Sequence, residues 1–536
     1  MKRRWMAGVV VGTWLGGCGS EPATQTEDVT QKELKLCAAV RGNGPKIPAH
    51  FGALARAHEH YGLLWGMSGG SSGSITTFLV ESMYLNPQLD DCAGTKCTRE
   101  ESAARAALML KSFQGYLSVL ADTEEGQAFS AAAVLTQQLA QKDVEALLAS
   151  DPEAGLAALR DVLGSKDLAP LINPEVVELL SSSPDPVAHA QDLVAAVQMG
   201  LAFQVDSEKV FLRPGLIDFG ALARKLGRVG SFYAGYGPHD AAATERFFAA
   251  CATPGRGKEW KDVAKLPAGD GTCGEAFAKL LGTYRTKLLA SEASYPSRID
   301  DEVGAFLPAL VSTSLLEGET ASMWRGALES YRSGATITWT PSFDDVKVGY
   351  FGLDADLDRV LDNRRKYLDL KTSKATAIRG ATWAVALATS PAEPGLARGI
   401  ELEDGRVSIG GWPDLYPVQA LKNLGCDEVL YVTREGGMIG SFADQVASNL
   451  GMAEAERQAL FSLGDDSSFT EALVEADAVW CTDWDLPATS DVQGVMSNAW
   501  NAPLESVDPF FAQGKRAYPG VDADLGKPGC SAGVPE

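Results

Sequence analysis

The stretch Gly66-Met67-Ser68-Gly69-Gly70-Ser71-Ser72-Gly73 holds two overlapping copies of Gly-x-Ser-x-Gly, centred on Ser68 and Ser71. Glycines crowding a serine let the backbone turn sharply enough to present a hydroxyl as a nucleophile. Ser71 is the better candidate, because Ile75, Phe78, Leu79 and Met83 follow it at helical spacing. Ser68 is followed by six small residues before any apolar one. A serine nucleophile also needs main-chain N–H groups aimed where a carbonyl oxygen gains charge. Gly42, Asn43 and Gly44, in the run Arg41-Gly42-Asn43-Gly44, are placed to form such an oxyanion hole. Neither glycine loop carries Gly-x-Gly-x-x-Gly or the Gly-Lys-Ser/Thr ending of a phosphate loop, so nucleotide binding is the weaker reading.

The elements around these loops predict an α/β fold with a central, mainly parallel sheet and helices on both faces. Leu34 to Val40 reads as a strand, followed by the first glycine loop and a helix carrying Phe51, Leu54 and Ala55. The run Tyr61-Gly62-Leu63-Leu64-Trp65 predicts a second strand, before the serine loop and a second helix. Two strand-loop-helix units in succession call for parallel pairing. From about 99 to 300 the text turns Ala- and Leu-rich at helical spacing, which predicts a large helical insertion whose stripes pack a core, as a lid over an acyl site would too. Strand-like text returns at 335–354 and 375–396. A hairpin follows at 399–411, then a helix-to-strand run over 416–434. Beyond 436 the text predicts helix and loop.

The chain has 536 residues and a formal net charge of −23, with 45% apolar and 22% charged residues. That is ordinary globular composition, and so acidic a surface repels phosphate backbones, which argues against a nucleic-acid partner. Residues 1–17, basic at Lys2-Arg3-Arg4 and then apolar, predict a signal peptide. The tetrapeptide Leu15-Gly16-Gly17-Cys18 resembles the bacterial lipobox. That resemblance implies a chain held to the lipid bilayer of a bacterial cell envelope by an acylated Cys18, with Gly19 favouring the outer membrane. Residues 18–33 predict the flexible tether of that anchor. The eight remaining cysteines form an even set in an exported chain, with Cys92 and Cys97, and Cys251 and Cys273, close enough for local pairs. No cysteine and histidine spacing matches a zinc site, and no metal or cofactor is expected.

Several segments together resemble the patatin-like phospholipases over about 34–435. Gly42-Asn43-Gly44-Pro45-Lys46-Ile47 is similar to that family's Gly-Gly-Gly-x-Arg/Lys-Gly loop, with Asn43 and Ile47 departing from it. Gly69-Gly70-Ser71-Ser72-Gly73-Ser74-Ile75 is similar to its nucleophile segment. The run 388–396 and Tyr416-Pro417-Val418-Gln419-Ala420-Leu421 fall in the family's order, leaving 436–536 as a C-terminal extension. The resemblance implies a serine acyl hydrolase acting on phospholipid or another lipid ester through a Ser-Asp dyad without histidine, Ser71 being the nucleophile.

The Asp of that dyad belongs to an Asp-Gly-Gly motif, and the matching position here is Ile409, which takes up no proton. Two carboxylates stand nearby in sequence. Asp404, in Glu403-Asp404-Gly405-Arg406, sits where a type I′ hairpin turn favours Asp-Gly. Asp414 shares the loop of the lost Asp and is the stronger substitute. His50 reads as structural, His58 and His60 as solvated, and Trp412 as a core or interfacial aromatic beside the glycines. A Ser-Asp-His order is excluded, since no histidine follows His239. The sequence thus supports a lipid ester hydrolase, or a catalytically dead lipoprotein of the same fold that binds lipid or envelope partners.

Overall fold

Five residues, Leu36-Cys37-Ala38-Ala39-Val40, form strand β1 with every side chain buried. The computed structural model describes residues 34–42, 47–121, 142–166, 168–169, 172, 174–198, 219–236, 241–251, 271–288, 297–332, 345–363, 374–392, 400–411, 414, 417–434 and 476–482. Met1–Leu34 is one unit, and the fold described here belongs to the other, Lys35–Glu536. After β1 come helix α1 (Pro48–Tyr61), β2 (Gly66–Gly70), α2 (Ser72–Tyr84), and the two short strands β3 (Asp91–Cys92) and β4 (Thr95–Lys96). Helices α3 (Arg99–Ala121), α4 (Val144–Ser150), α5 (Pro152–Leu163), α6 (Pro174–Ser182), α7 (Pro186–Gln198), α8 (Phe219–Tyr233), α9 (Ala241–Cys251) and α10 (Gly271–Leu288) follow. The chain then forms β5 (Ala309–Leu316), α11 (Gly318–Arg332), β6 (Lys347–Phe351), α12 (Asp354–Asn363), β7 (Ala375–Ile378), α13 (Trp383–Thr389), β8 (Ile400–Glu401) and β9 (Val407–Ser408). It ends with α14 (Val418–Leu424), β10 (Glu428–Arg434) and β11 (Ala478–Thr482).

The main sheet runs β11-β10-β1-β2-β5-β6-β7, with β9 added antiparallel to β5 and β8 to β9. Pairing is parallel everywhere along that path except between β5 and β6. Fully buried strands with helices on both sides explain their near-continuous apolar and small-residue text. One face packs α1, α2, α3, α8, α9, α10 and α13 in a single apolar cluster that includes Phe51, Phe78, Phe113, Phe247, Phe277 and Trp383. The other packs α12 and α14 through Leu357, Val360, Val418, Leu421 and Leu424. The fold is therefore the α/β sandwich expected.

Two differences from the sequence reading have physical causes. The second strand is not the apolar run 61–65 but Gly66–Gly70, so Ser68 lies inside it; small residues let β1 and β5 approach on either side. Beyond 436, residues 478–482 form β11, an edge strand parallel to β10, where helix and loop were expected. Of the helices between 99 and 300, α3, α8, α9 and α10 share the core cluster of the sheet face. Their apolar stripes are core packing, and the Phe51 and Phe113 rings that join α1 to α3 stack at 3.7 Å. A reciprocal capping box opens α3: Thr98 N donates to Glu101 Oε2 at 2.8 Å, and Glu101 N to Thr98 Oγ1 at 3.2 Å.

Disulfides join Cys92 to Cys97 and Cys251 to Cys273, the two local pairs expected, and Cys37 to Cys426 across 389 residues.

Candidate functional site

Ser71 stands between the last residue of β2 and the first of α2, with φ 51° and ψ −127°. A residue with a side chain held there costs roughly 1–3 kcal/mol, and such strain collects where a side chain must be aimed. Several contacts over-determine it. Ser71 N donates to Ser390 Oγ at 2.9 Å, Ser390 Oγ donates to the Ser312 carbonyl at 2.7 Å, and Ser74 N and Oγ both donate to the Ser71 carbonyl. Gly73 lets the start of α2 meet β1, since a Cβ there would lie 2.5 Å from the Val40 carbonyl oxygen. Gly411 approaches from the loop after β9, N–H bound to the Ser390 carbonyl at 2.8 Å, and a Cβ on it would run into Ser71 N. Ser71 is 7% exposed, and its Oγ makes no hydrogen bond among the described residues. Ser68, by contrast, is fully buried and its hydroxyl is spent on the Pro417 carbonyl at 2.9 Å. Of the two serines, only Ser71 occupies a turn.

Gly42 is buried just past the end of β1, where Arg41 N donates to the Val432 carbonyl at 3.0 Å. Gly73 brings the serine turn against this strand end, so Gly42 and Ser71 leave the same edge of neighbouring parallel strands. That edge, at the carboxyl ends of parallel strands, is where α/β sheets place ligands. Asn43, Gly44 and Lys46 lie outside the described residues, as do Cys18, Trp412 and the His60 side chain.

The candidate acids differ sharply. Asp404 occupies the exposed turn between β8 and β9, where Oδ1 accepts from Arg406 N at 3.1 Å and Oδ2 from Arg406 Nε at 2.7 Å. Its hydrogen bonds to Arg406 hold its carboxyl below the usual carboxylate range. That is the hairpin role of Asp-Gly, and nothing described brings it to Ser71. Ile409 is fully buried with Leu316, Ala321, Trp324, Val346 and Val407, its N–H bound to Ser314 Oγ at 3.1 Å. Asp414 sits over a cross-strand row, Gly70 on β2, Ser312 on β5 and Tyr350 on β6. Its main-chain oxygen accepts from Ser312 Oγ at 2.6 Å and would lie 2.5 Å from a Cβ on Gly70. The Asp414 carboxylate takes a short hydrogen bond from the Tyr350 hydroxyl, and both residues are buried. The loop therefore brings Asp414, and not Asp404, against the residue preceding Ser71.

The histidines have structural places. His50 Nδ1 pairs with Thr76 Oγ1 at 2.9 Å, joining α1 to α2 as a structural histidine should. His58 is not solvated as expected: it is fully buried, with Nδ1 2.7 Å from the Leu54 carbonyl and Nε2 2.9 Å from the Tyr84 hydroxyl. Burial pushes it down to about 4, against the opposing pull of that carbonyl. An apolar groove between α1 and α2 explains the miss, since charged neighbours in sequence say nothing of which face packs inward.

Glu81, two turns beyond the start of α2, is buried in the core and paired with Arg298 at 3.1 Å, both side chains without exposure. Burial raises the Glu81 carboxyl, opposed first by Arg298 and then by the Phe306 N–H and Trp383 indole, which donates at 2.6 Å. Arg298 also pairs with Asp301 at 3.0 Å. This cluster fixes α2, and with it the turn at Ser71, to the segment 298–306 and to α13. Ser390, Tyr350, Glu81 and Arg298 were not singled out in the sequence. Ser390 lay in a segment marked for resemblance, Tyr350 is an aromatic in strand text, and Glu81 and Arg298 are charges whose burial no spacing reveals.

The fold and site define an α/β protein with a strained strand-turn-helix serine at the carboxyl edge of its sheet. Comparison of the chain with protein-family models, curated proteins and solved structures found no match. Among the described residues no group of three or more His, Cys, Asp or Glu could hold a metal ion, and no helix is long and apolar enough to cross a membrane.

Proposed function

We propose that the protein is a patatin-like serine acyl hydrolase of lipid esters, tethered to a membrane through Cys18. The observation that carries the reading is the backbone of Ser71, a non-glycine residue at φ 51° in a strand-to-helix turn, held by Ser390 and Gly411. In the proposed reaction Ser71 Oγ bonds to the ester carbonyl carbon while its proton passes to Asp414. The main-chain N–H groups of Gly42, Asn43 and Gly44 receive the charge that develops on the carbonyl oxygen. The C–O bond to the leaving alcohol breaks as the alcohol takes the proton from Asp414. Water then gives a proton to the same carboxylate and bonds to the acyl carbon, and the Ser71 Oγ–C bond breaks as Oγ takes that proton back, freeing the fatty acid.

A second reading has its own support. Ile409 is packed into an apolar cluster, and the Asp414 carboxylate is engaged by Tyr350, as in a lipid-binding protein that keeps the fold without the dyad. Incubating the full chain with vesicles of phosphatidylcholine and phosphatidylglycerol separates the two. The hydrolase releases fatty acid and loses that release with Ser71→Ala; the binding protein releases none while still sedimenting with vesicles.

A further inference from the structure

We propose that the Ser390 hydroxyl is a wedge in the sheet that ends β2 and sets the angle of Ser71, which makes Ser390 a positioning residue for the nucleophile. Its consequence for reactivity rests on the hydrolase reading above, which it deepens.

Parallel strands exchange evenly spaced hydrogen bonds, each donor two residues on from the last. Between β2 and β5 the register pairs Met67 with Ala309 and Gly70 with Ser312, and Met67 N donates to the Pro308 carbonyl at 2.9 Å. Counting on by twos, Gly69 N falls to the Leu310 carbonyl and Ser71 N to that of Ser312. At this last rung one more atom stands between donor and acceptor. Ser71 N donates to Ser390 Oγ at 2.9 Å, and Ser390 Oγ donates to the Ser312 carbonyl at 2.7 Å. A hydroxyl accepts and donates at a single atom, so it enters a rung without orphaning either main-chain group. Two steps now span what one hydrogen bond would have closed. At this point β2 leaves the sheet, with Ser71 at φ 51° and α2 beginning at Ser72. Strand β5 changes partner here as well. Ser314 N donates to the Gly410 carbonyl at 2.6 Å, ahead of the β9 pairing of Leu315 with Ser408.

The wedge is held on every side. Ser390 is fully buried at the end of α13, where its N–H donates to the Ala386 carbonyl at 3.0 Å and its carbonyl accepts from Gly411 N at 2.8 Å. The other end of α13 is tied to α2, because the Trp383 indole donates to Glu81 Oε2 at 2.6 Å. Without the hydroxyl, the Ser71 N–H and the Ser312 carbonyl would meet directly, as the register directs, since buried main-chain groups are paired. Closing that rung would extend β2 by one residue and relax Ser71 toward ordinary strand angles, which turns its Oγ away from the direction that the elbow gives it.

The test compares Ser390→Ala with Thr389→Val, which removes the neighbouring buried hydroxyl, one bonded within α13 to the Val385 and Ala386 carbonyls. The full chain is treated with a fluorophosphonate, whose reaction forms the Ser71 Oγ–P bond and expels fluoride, the serine proton going to the base. The rate constant at saturating probe is measured separately from the half-saturating concentration, alongside the melting transition. Ser390→Ala is expected to lower the saturated rate about 10²-fold, the cost of a reacting atom misplaced by about 1 Å, with the half-saturating concentration unchanged. Its melting transition should fall no further than that of Thr389→Val, whose saturated rate stays at the wild-type value. An unchanged saturated rate in Ser390→Ala overturns the proposal, and so does an equal fall in Thr389→Val. Crystal structures give a second measurement that needs no reactivity. Wild type should show Ser71 N on Ser390 Oγ, and Ser390→Ala should show Ser71 N on the Ser312 carbonyl with φ no longer positive. A wild type in which Ser71 N bonds the Ser312 carbonyl directly, or a variant that keeps φ near 51°, overturns the wedge. Failure of the parent reading looks different: wild type that never reacts, with the two structures as expected, removes the hydrolase and leaves the wedge standing.

Discussion

Ser71, Gly411 and Asp414 are held against one another by main-chain packing rather than by long side chains, so the site should be intolerant of single carbon atoms. Gly411→Ala places a methyl group against Ser71 N and 3.0 Å from Ser390 Oγ, neither of which can retreat without moving the elbow. We expect about 1–3 kcal/mol of lost stability by urea denaturation, together with a loss of reactivity toward a serine probe that exceeds the loss of fold. At this scale the sequence was legible for the serine turn and not for the surroundings of the two candidate acids. Glycine spacing marks a serine turn because the turn itself demands glycine. Asp414 meets Gly70 and Tyr350 only because its loop folds back across the sheet, which is not encoded in local text. Ile409 shows the same limit: sequence reveals that it takes up no proton, and only the fold shows that it faces an apolar cluster.

Helix α2 begins at the elbow, and its link to α1 through His58 and Tyr84 is sensitive to acid. His58 has Nδ1 at the Leu54 carbonyl, so Nε2 in the neutral ring accepts from Tyr84, whose oxygen in turn accepts from Leu64 N at 2.6 Å. A protonated ring donates from both nitrogens and breaks that chain. Its pKa is lowered to about 4 in the folded protein, against about 6.5 in the unfolded chain, so folding favours the neutral ring. The stabilising contribution is complete above pH 6.5 and is lost as pH falls toward 4, a change of about 3 kcal/mol. The difference in denaturation free energy between wild type and His58→Gln should narrow over that window. A constant difference would mean that His58 is not buried neutral. The spacing of Phe51, Leu54 and Ala55 correctly marked the inward face of α1, but a histidine on that face reads as polar in sequence. The buried Glu81 on α2 escaped notice for the same reason, since its partner Arg298 lies 217 residues away. Strand β2 was misplaced because glycine and serine are poor strand signals. They form a strand here only because β1 and β5 flank them closely.

Across the whole molecule, the sheet draws its central strands from both ends of the described chain, β1 lying between β10 and β2. The Cys37–Cys426 bond ties that arrangement, closing a loop of 389 residues. Chain-entropy reasoning gives a long-range bond of this kind about 6 kcal/mol, because it restricts the unfolded chain most. Replacing both cysteines by alanine should lower the denaturation free energy by about that amount. Replacing Cys92 and Cys97, which close a loop of only a few residues, should cost clearly less. Sequence made the α/β class and the local cysteine pairs legible, since each depends on neighbours in the text. The long-range disulfide, β11 and the merging of α3, α8, α9 and α10 into the core depend on partners hundreds of residues apart, which periodicity does not report.

That Ser71 is a living nucleophile with Asp414 as its acid, as proposed, is tested most directly by fluorophosphonate labelling of the full chain with the adduct located by mass spectrometry. One adduct is expected, on Ser71, absent from Ser71→Ala, retained by Ser68→Ala and Asp404→Asn, and slowed by about 10²-fold or more in Asp414→Asn. A folded wild-type protein that takes no label, with and without phospholipid vesicles, or an adduct on any other residue, would contradict it.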